Sequence, residues 1–312
     1  MLAVDASGNL PQIMARMAGL MNSPNLNAKL PASELGVLLR HWRDRRGKSQ
    51  FDLSLDVGVS QRHISFIESG RSAPSRGALL NIAQSLDIPL RDRNTLLLAA
   101  GYAPIYSEGA WDAPEMQGIN DALRRMLRQH EPFPAIVMDR YWNVLMTNEA
   151  APRFFNCFID MAVRLADQAA RKTPRNMLHL MFDPKGLRPF LANWEDVAKG
   201  LFERVYRESV GRVIDEKTRQ LLSALAAYPD VKTEWKIPAT NVRSATPVIP
   251  LSFIKDGQTL SYFSMVTTVG APRTIAAQEL RIECMFPVDE ATEARHALLM
   301  RDAPALDSSV DH

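Results

Sequence analysis

The sequence predicts an α+β chain: a compact bundle of five short helices, then a second domain built on a small antiparallel sheet. Three observations carry this. From Ala32 to Gly101 the apolar spacing is helical and is cut into five blocks by Gly47-Lys48-Ser49, Gly58-Val59-Ser60, Gly70 to Pro74 and Asp87 to Pro89. Near the C-terminus, "PVIPLSFIKDGQTLSYFSMVTTV" and "ELRIECMFPVD" alternate with a period of two. The 312 residues are 46% hydrophobic and 23% charged, an ordinary globular balance that supports two or three domains of roughly 100–200 residues.

Residues 1–30 hold Asp, Asn, Ser, Gly and Pro around one amphipathic piece, Ile13–Met21, and read as a loose arm. The helical domain is expected over 31–102. Within it, Ser49 suits the cap of a helix starting at Gln50, with Leu53, Leu55 and Val57 toward its inner side. Gly58-Val59-Ser60 makes a tight turn with Val59 buried in it, and Ser60 caps the next helix. That helix buries Ile64 and Ile67 and stops at Gly70. "RDRNTLLLAAGYAP" ends on Gly101 with Pro104 beyond, a C-terminal stop. Residues 103–116, with Gly109, Pro104 and Pro114, read as a linker.

The second domain is expected over 117–302. "INDALRRMLRQH" is an amphipathic helix, and "PAIVMDRYWNVLMTN" gives two strands around a tight turn at Asp139-Arg140. Asn148 to Arg153 suits a short helix. Phe158 to Gly211 is largely helical, broken at Thr173-Pro174 and at Asp183 to Gly186, and Asp215 to Tyr228 adds another helix. Two strands then meet at Lys255-Asp256-Gly257, because Asp-Gly supplies positive φ cheaply. A last strand points Leu280, Ile282 and Cys284 or Phe286 inward, and Ala291 to Met300 closes the domain. Two strands, helices, then three strands suit an antiparallel sheet with helices on one face. Residues 303–312 are a polar tail.

The formal net charge is +2, so a basic site has to come from local clustering. Cys157 and Cys284 are far apart and outside any CxxC, which fits two buried thiols in a reducing cytoplasm. The six histidines have no zinc-ligand spacing, so neither metal nor cofactor is expected. The first twenty residues are no secretory signal, and no run approaches the ~18 apolar residues of a membrane span. These features point to a cytoplasmic protein that does not engage membranes.

Two short helices joined by a glycine-containing turn are the helix-turn-helix signature, whose second helix can enter a major groove. "SQFDLSLDVGVSQRHISFIESGRSAP" resembles the Xre/Cro-type repressor family over about Leu35 to Gly101, which implies a lambda-repressor-like domain. By position, the resemblance assigns phosphate contacts to Gln50 and Arg71 and base-edge contacts to Gln61, Arg62 and His63. Ser65 and Phe66 come next, with Ser60 and Ser69 at the helix ends, and Arg43 with Glu68 forms an internal ion pair. Arg62 and Phe66 are four residues apart and share a face. Phe66 either meets a thymine methyl or folds under Arg62 or against Ser72. Basic residues are opposed by Glu34, Asp44, Asp52, Asp56, Glu68 and Asp87, so one copy should bind weakly. A homodimer on two half-sites of a double-stranded operator is therefore expected.

"AIVMDRYWNVLMTNEAA", "NMLHLMFDPKGLRPFLANWE" and "LSYFSMVTTVGAPRTIAAQELRIECMFPVDEAT" resemble the ligand-binding domain of MmyB-like transcription regulators over most of Leu123 to Leu299. The resemblance implies a PAS-like fold, a five-stranded antiparallel sheet cupping a cavity, and a small apolar effector of the fatty-acid kind. Candidate walls are Trp142, Leu145, Phe182, Trp194, Phe202, Tyr206, Phe253, Phe263 and Met265, with Asn148, Arg281 and Tyr206 as polar anchors. For any single aromatic, plain core packing is the reading that comes ahead of ligand contact, and for Arg281 a structural ion pair comes ahead of an anchor.

Two rivals remain. A self-cleaving repressor would cut near Ala100-Gly101, but Lys236 and Lys255 are its only candidate bases after Thr233, Lys255 sits in an exposed turn, and Gly101 already reads as a helix stop. A second rival uses the sheet domain only to dimerise or hold another protein. Gly-rich phosphate loops and GxSxG are absent, so no enzyme is expected.

Overall fold

A computed structural model describes residues 32–160, 174–210, 215–232, 235 and 250–303. The arm, most of the tail and the stretch around Lys236 lie outside the described residues. The chain divides into two compact units. One is Met1–Gly109 with Ser209–Glu216 and Pro272–Gln278; the other holds Ala110–Glu208, Lys217–Ala271 and Glu279–His312.

The first unit has the five expected helices: α1 (Ala32–Arg45), α2 (Gln50–Val57), α3 (Gln61–Glu68), α4 (Arg76–Ser85) and α5 (Leu90–Ala99). Serines start three of them. Ser49, Ser60 and Ser75 accept from the backbone N–H of Asp52, His63 and Ala78, each satisfying an otherwise orphaned donor. Gly58 ends α2 at φ +68°, and Gly101 follows α5 at φ +80°, a backbone that glycine adopts without strain. Gly101 is thus a helix stop. Leu38, Leu39, Trp42, Leu53, Ile64, Ile67, Leu79 and Leu86 form one core. Leu55 departs from expectation: it is 66% exposed. Residues two apart on a helix lie on different faces, so Leu55 cannot share the buried side of Leu53. Val59 is half-buried against the core. Beyond α5, the side chain of Asn94 accepts from the N–H groups of Ile105 and Tyr106 and donates to the Tyr106 carbonyl, so the start of the stretch read as a linker runs along α5.

The second unit opens with α6 (Gln117–Gln129), β1 (Ala135–Met138), β2 (Val144–Thr147) and α7 (Ala150–Asn156). Then come α8 (Met177–Phe182), α9 (Trp194–Val210), α10 (Glu216–Ala226), β3 (Leu251–Lys255) and β4 (Gln258–Thr267). A short α11 (Ile275–Glu279), which the sequence pattern does not announce and which belongs to the first unit up to Gln278, precedes β5 (Arg281–Pro287) and α12 (Glu290–Asp302) in the chain. The strands form one antiparallel sheet in the order β2-β1-β5-β4-β3, the five-stranded sheet that the resemblance implied. The β3–β4 hairpin turns on Asp256 and Gly257, both at positive φ, as its two-residue loop requires.

The β1–β2 connection is longer than the tight turn expected. Asp139 accepts through Oδ1 from the N–H groups of Tyr141 and Asn143, which spreads the turn over Asp139–Asn143. Trp142 inside it has φ +67° and is 1% exposed.

The aromatic core is closed by a polar zip. His296 of α12 is fully buried, with Nε2 2.9 Å from the Pro132 carbonyl and Nδ1 2.8 Å from the Tyr262 hydroxyl. A carbonyl only accepts, so Nε2 carries the proton and Nδ1 accepts from Tyr262. Phe154 stacks on His296 and meets Tyr262 and Phe253 edge-on. Burial pushes the His296 pKa below its ordinary 6.5, despite the bond to Pro132, which acts the other way. The unfolded chain therefore binds more protons below that value, and stability falls as pH drops through about 6.5 toward the lower folded value. Denaturant unfolding at pH values from about 7 to about 5 should show this loss. His296→Ala should cost about 2–4 kcal/mol at neutral pH, because it strips partners from two buried groups, and should flatten the acid slope.

Candidate DNA interface and ligand cavity

The carboxylate of Glu68, 1% exposed, is the hub of the helical unit. Arg43 Nε donates to its Oε1 at 2.7 Å and Arg43 Nη2 to its Oε2 at 3.2 Å, a two-pronged pair in which the guanidinium is also nearly buried. Gln50 Nε2 donates to Oε2 at 2.8 Å, and Arg40 Nε lies 3.5 Å from the same oxygen. The bond to Glu68 raises the Arg43 pKa, against the opposing effect of burial. Arg43 Nη1 also caps the Lys48 carbonyl just before α2. One carboxylate thus ties α1, α2 and α3 together.

Gly36 makes this approach possible. A Cβ there would sit 2.2 Å from the Glu68 carbonyl oxygen. Gly36, Arg40 and Arg43 lie on one stripe of α1, so the glycine brings that stripe against the end of α3 and the two arginines follow onto the carboxylate.

The outer side of α3 carries the expected residues. Gln61 and Arg62 are exposed, with Ser60 and Ser69 at the ends and Arg71 beyond, while His63, Ser65 and Phe66 are half-buried. Phe66 does not stand clear. The Arg62 guanidinium carbon lies 5.1 Å from its ring centre and that of Arg71 lies 5.9 Å away. The backbone N–H groups of Arg71 and Ser72 both bond to the Phe66 carbonyl, which turns the chain back along the ring. The second of the two open possibilities for Phe66 is thus the geometry found: it is a platform between two arginines. Gln50, expected on phosphate, donates one of its two amide N–H groups to Glu68. Phe51 and Leu55 are exposed together on α2, which helical spacing predicts but the inward assignment of Leu55 hid.

The second unit encloses a cavity of about 360 Å³. Its sheet wall is Ile136, Met138, Leu251, Phe253, Ser264, Glu283 and Met285. Its helical wall is Phe155, Met177 and Met181, with Val197, Gly200, Leu201, Glu203 and Arg204 along α9, and Trp142 closes it from the β1–β2 turn. Trp142 is held from several directions. Asn176 Nδ2 donates to the Tyr141 carbonyl, the Trp142 carbonyl accepts from Met177 N–H, and Arg204 lies 4.7 Å over the indole.

Of the expected wall residues, Trp142 and Phe253 line this cavity. Phe182 and Phe202 are buried in the core behind it, and Leu145 is half-buried on β2. Trp194 donates to the Met181 carbonyl and is covered by Arg188. The side chain of Tyr206 lies outside the described residues. Phe263 and Met265 face away from the cavity. Ser264 pairs with Met285 on the cavity side, so its neighbours project to the other face, where Phe263 stacks on Phe286. Asn148 is no free anchor: it accepts from Ala135 and Ala151 N–H and donates to the Phe133 carbonyl. Arg281 lies over Trp142 at 5.7 Å.

Two family models match the chain. Residues 34–96 match a helix-turn-helix domain. Residues 119–299, more than half of the chain, match the MmyB-like transcription regulator ligand binding domain. The chain belongs to the MmyB-like transcription regulators. Comparison with curated proteins finds no match. A helix-turn-helix domain joined to a ligand-binding domain makes this MmyB-like protein a ligand-regulated transcription regulator. Both families are those of a regulator and point away from an enzyme. Among the described residues, no helix of the regulator is long and apolar enough to cross a membrane.

The Gly36 contact is open to a direct test. Gly36→Ala should destabilise the helical unit by about 1–3 kcal/mol, because a backbone oxygen rather than a flexible side chain must give way. Denaturant unfolding followed by helical circular dichroism would measure it.

Proposed function

We propose that the regulator reads a double-stranded operator as a homodimer, through α3 and its flanks, and that a small apolar molecule of the fatty-acid kind in the cavity controls it. The observation that carries the DNA half is the outer row of α3. Gln61 and Arg62 are exposed on a helix whose other face is locked by Ile64, Ile67 and Glu68. Arg and Gln can each bond a base edge in two-pronged fashion. Arg62 and Arg71 share the Phe66 ring, so both guanidiniums are held in place before DNA arrives, which lowers the ordering cost of binding. In this reading Arg62 reads a base, while Arg71, past the helix end, meets phosphate. Gln50 gives one amide N–H to Glu68 and keeps a second N–H that can donate to phosphate.

Homodimerisation follows from affinity. The basic residues of one reading unit are offset by nearby acids, and two half-sites about one helical turn apart supply what one lacks. The cavity, mostly apolar with a few polar groups, supports a small-molecule effector. An effector that prefers one packing of its domain shifts the population of DNA-competent dimers, by no more than its differential affinity for the two states. The setting is the cytoplasm, where DNA and a reducing milieu coincide.

The test starts from an operator selected from random duplexes by the purified protein. Arg62→Ala should lose about 1–3 kcal/mol on that operator and relax selectivity at one base pair. Arg71→Ala should weaken all duplexes alike and reduce the salt slope by about one. Equal affinity and selectivity for Arg62→Ala and the parent would remove α3 from its reading role. Phe66→Leu should lower operator affinity about five- to tenfold with stability changed by about 1 kcal/mol or less, since it loses the ring faces but keeps the apolar contact. Gel-shift titrations at two salt concentrations give all three readouts.

A further inference from the structure

The chain passes from one unit to the other inside α11. The helix belongs to the first unit up to Gln278, and Glu279 belongs to the second. Each of these neighbours is tied into its own unit. Gln278 Oε1 accepts from the N–H of Leu90 at 2.7 Å. Leu90 opens α5, at the end where a helix has N–H groups without internal partners. Pro89 stands at the cap position and offers no side-chain acceptor. Gln278 thus does for α5 what Ser49, Ser60 and Ser75 do for α2, α3 and α4. The N–H of Ile275 donates to the Ser107 carbonyl at 3.1 Å, so α11 is seated on the first unit at both ends. On the other side, Glu279 Oε1 accepts from Arg140 Nη1 at 3.0 Å, and both side chains are nearly buried. Arg140 lies in the Asp139–Asn143 turn, two residues before Trp142, which closes the cavity. Arg281 at the start of β5 adds a second tie, donating from Nη1 to the Arg140 carbonyl at 3.4 Å while its guanidinium lies over Trp142.

We infer that α11 couples the cavity to the DNA reader, with Glu279 as its grip on the cavity turn and Gln278 as its grip on α5. The inference rests on the proposed effector control and names the path of that control. A ligand packed against Trp142 biases the 139–143 turn. The Arg140–Glu279 pair follows the turn, because leaving either buried charge alone is costly. One planar peptide unit joins Glu279 to Gln278 and leaves little slack between the two grips. The two states are then the α5 cap made and the α5 cap open, and the ligand has only to favour one of them. A hydrogen bond of this kind shifts an equilibrium about two- to tenfold, which is enough for effector control. The reading helix feels the change through packing: α5 puts Leu96 and Leu97 into the same core as Leu38, Leu39 and Trp42 of α1 and Ile64 and Ile67 of α3.

The test uses the full-length protein, its selected operator and decanoate as the cavity probe. Operator affinity is measured with and without saturating decanoate for the parent, Gln278→Leu and Gln278→Glu, and decanoate binding is followed by calorimetry. In the parent, decanoate should change operator affinity at least about fivefold. Gln278→Leu cannot accept from Leu90, and should bring that factor below about twofold while binding decanoate within about twofold of the parent. Gln278→Glu keeps an acceptor, beside a helix N-terminus that favours negative charge, and should keep the parent's factor. A residue that only props the fold would alter operator affinity equally in both conditions and leave the factor alone. Parent-like coupling in Gln278→Leu would overturn the inference while effector control stands. No decanoate binding by the parent, or no effect of bound decanoate on its operator affinity, would instead remove effector control, and the role of α11 with it. If Gln278→Leu does not fold, the Leu90 amide of the parent decides: its hydrogen-exchange rate should change at least about fivefold at saturating decanoate, and an unchanged rate would overturn the inference.

Discussion

The buried carboxylate of Glu68 is the interaction on which the helical unit depends. It sits at the end of α3, accepts both prongs of Arg43 from α1 and the amide of Gln50 from α2, and lies within reach of Arg40. Removing one partner of such a pair would strand a charge in the core, at a cost of about 3–5 kcal/mol. Its geometry requires Gly36, because any side chain there would collide with the Glu68 backbone. A helix of eight residues would be marginal alone, and here its orientation is over-determined by a charge hub, two buried isoleucines and a serine cap. That rigidity lets the exposed row of α3 present a fixed pattern.

The sheet unit solves a different problem, since it has to keep an internal space open. One side is braced by the Phe154, Phe253 and Tyr262 cluster, with His296 bonded at both ring nitrogens. Across the cavity, the turn at Asp139–Asn143 holds Trp142 at positive φ, a conformation that costs a bulky residue roughly 1–3 kcal/mol. Bonds from Asp139 and Asn176 sustain that strain. The result is a large aromatic donor fixed against a wall of methionines, which adapt to tails of different shape.

Much of this was legible in the sequence, and the misses have physical reasons. The helices of the first unit announce themselves through local chemistry: Ser49, Ser60 and Ser75 as caps, Gly58 and Gly101 as stops. The Asp256-Gly257 hairpin is equally local. Leu55 was misplaced because its neighbours Leu53 and Val57 are apolar, although spacing by two turns a helix by more than half a circle. In the sheet the difficulty was parity. Both faces of β4 and β5 carry large residues, so alternation alone does not say which set meets the cavity. Phe263 and Met265 are apolar and Ser264 is not, yet Ser264 is the one on the cavity face, while at β5 the inward Leu280, Ile282 and Cys284 are indeed buried, on the face opposite Glu283 and Met285. The α9 row of Val197, Gly200, Leu201 and Arg204 follows helical spacing and could have been found from it. The non-local pairing at Glu68 was available only through the resemblance, since twenty-five residues separate it from Arg43.

The proposed regulation requires coupling between the cavity and α3, and coupling is reciprocal: an effector changes DNA affinity by the factor by which DNA changes effector affinity. The most direct measurement is therefore operator affinity of the full-length protein across a titration with a cavity ligand, paired with ligand affinity measured with and without operator. The same factor is expected from both directions, at least about fivefold. Operator affinity unchanged at saturating ligand would contradict it and leave a DNA reader whose cavity controls nothing.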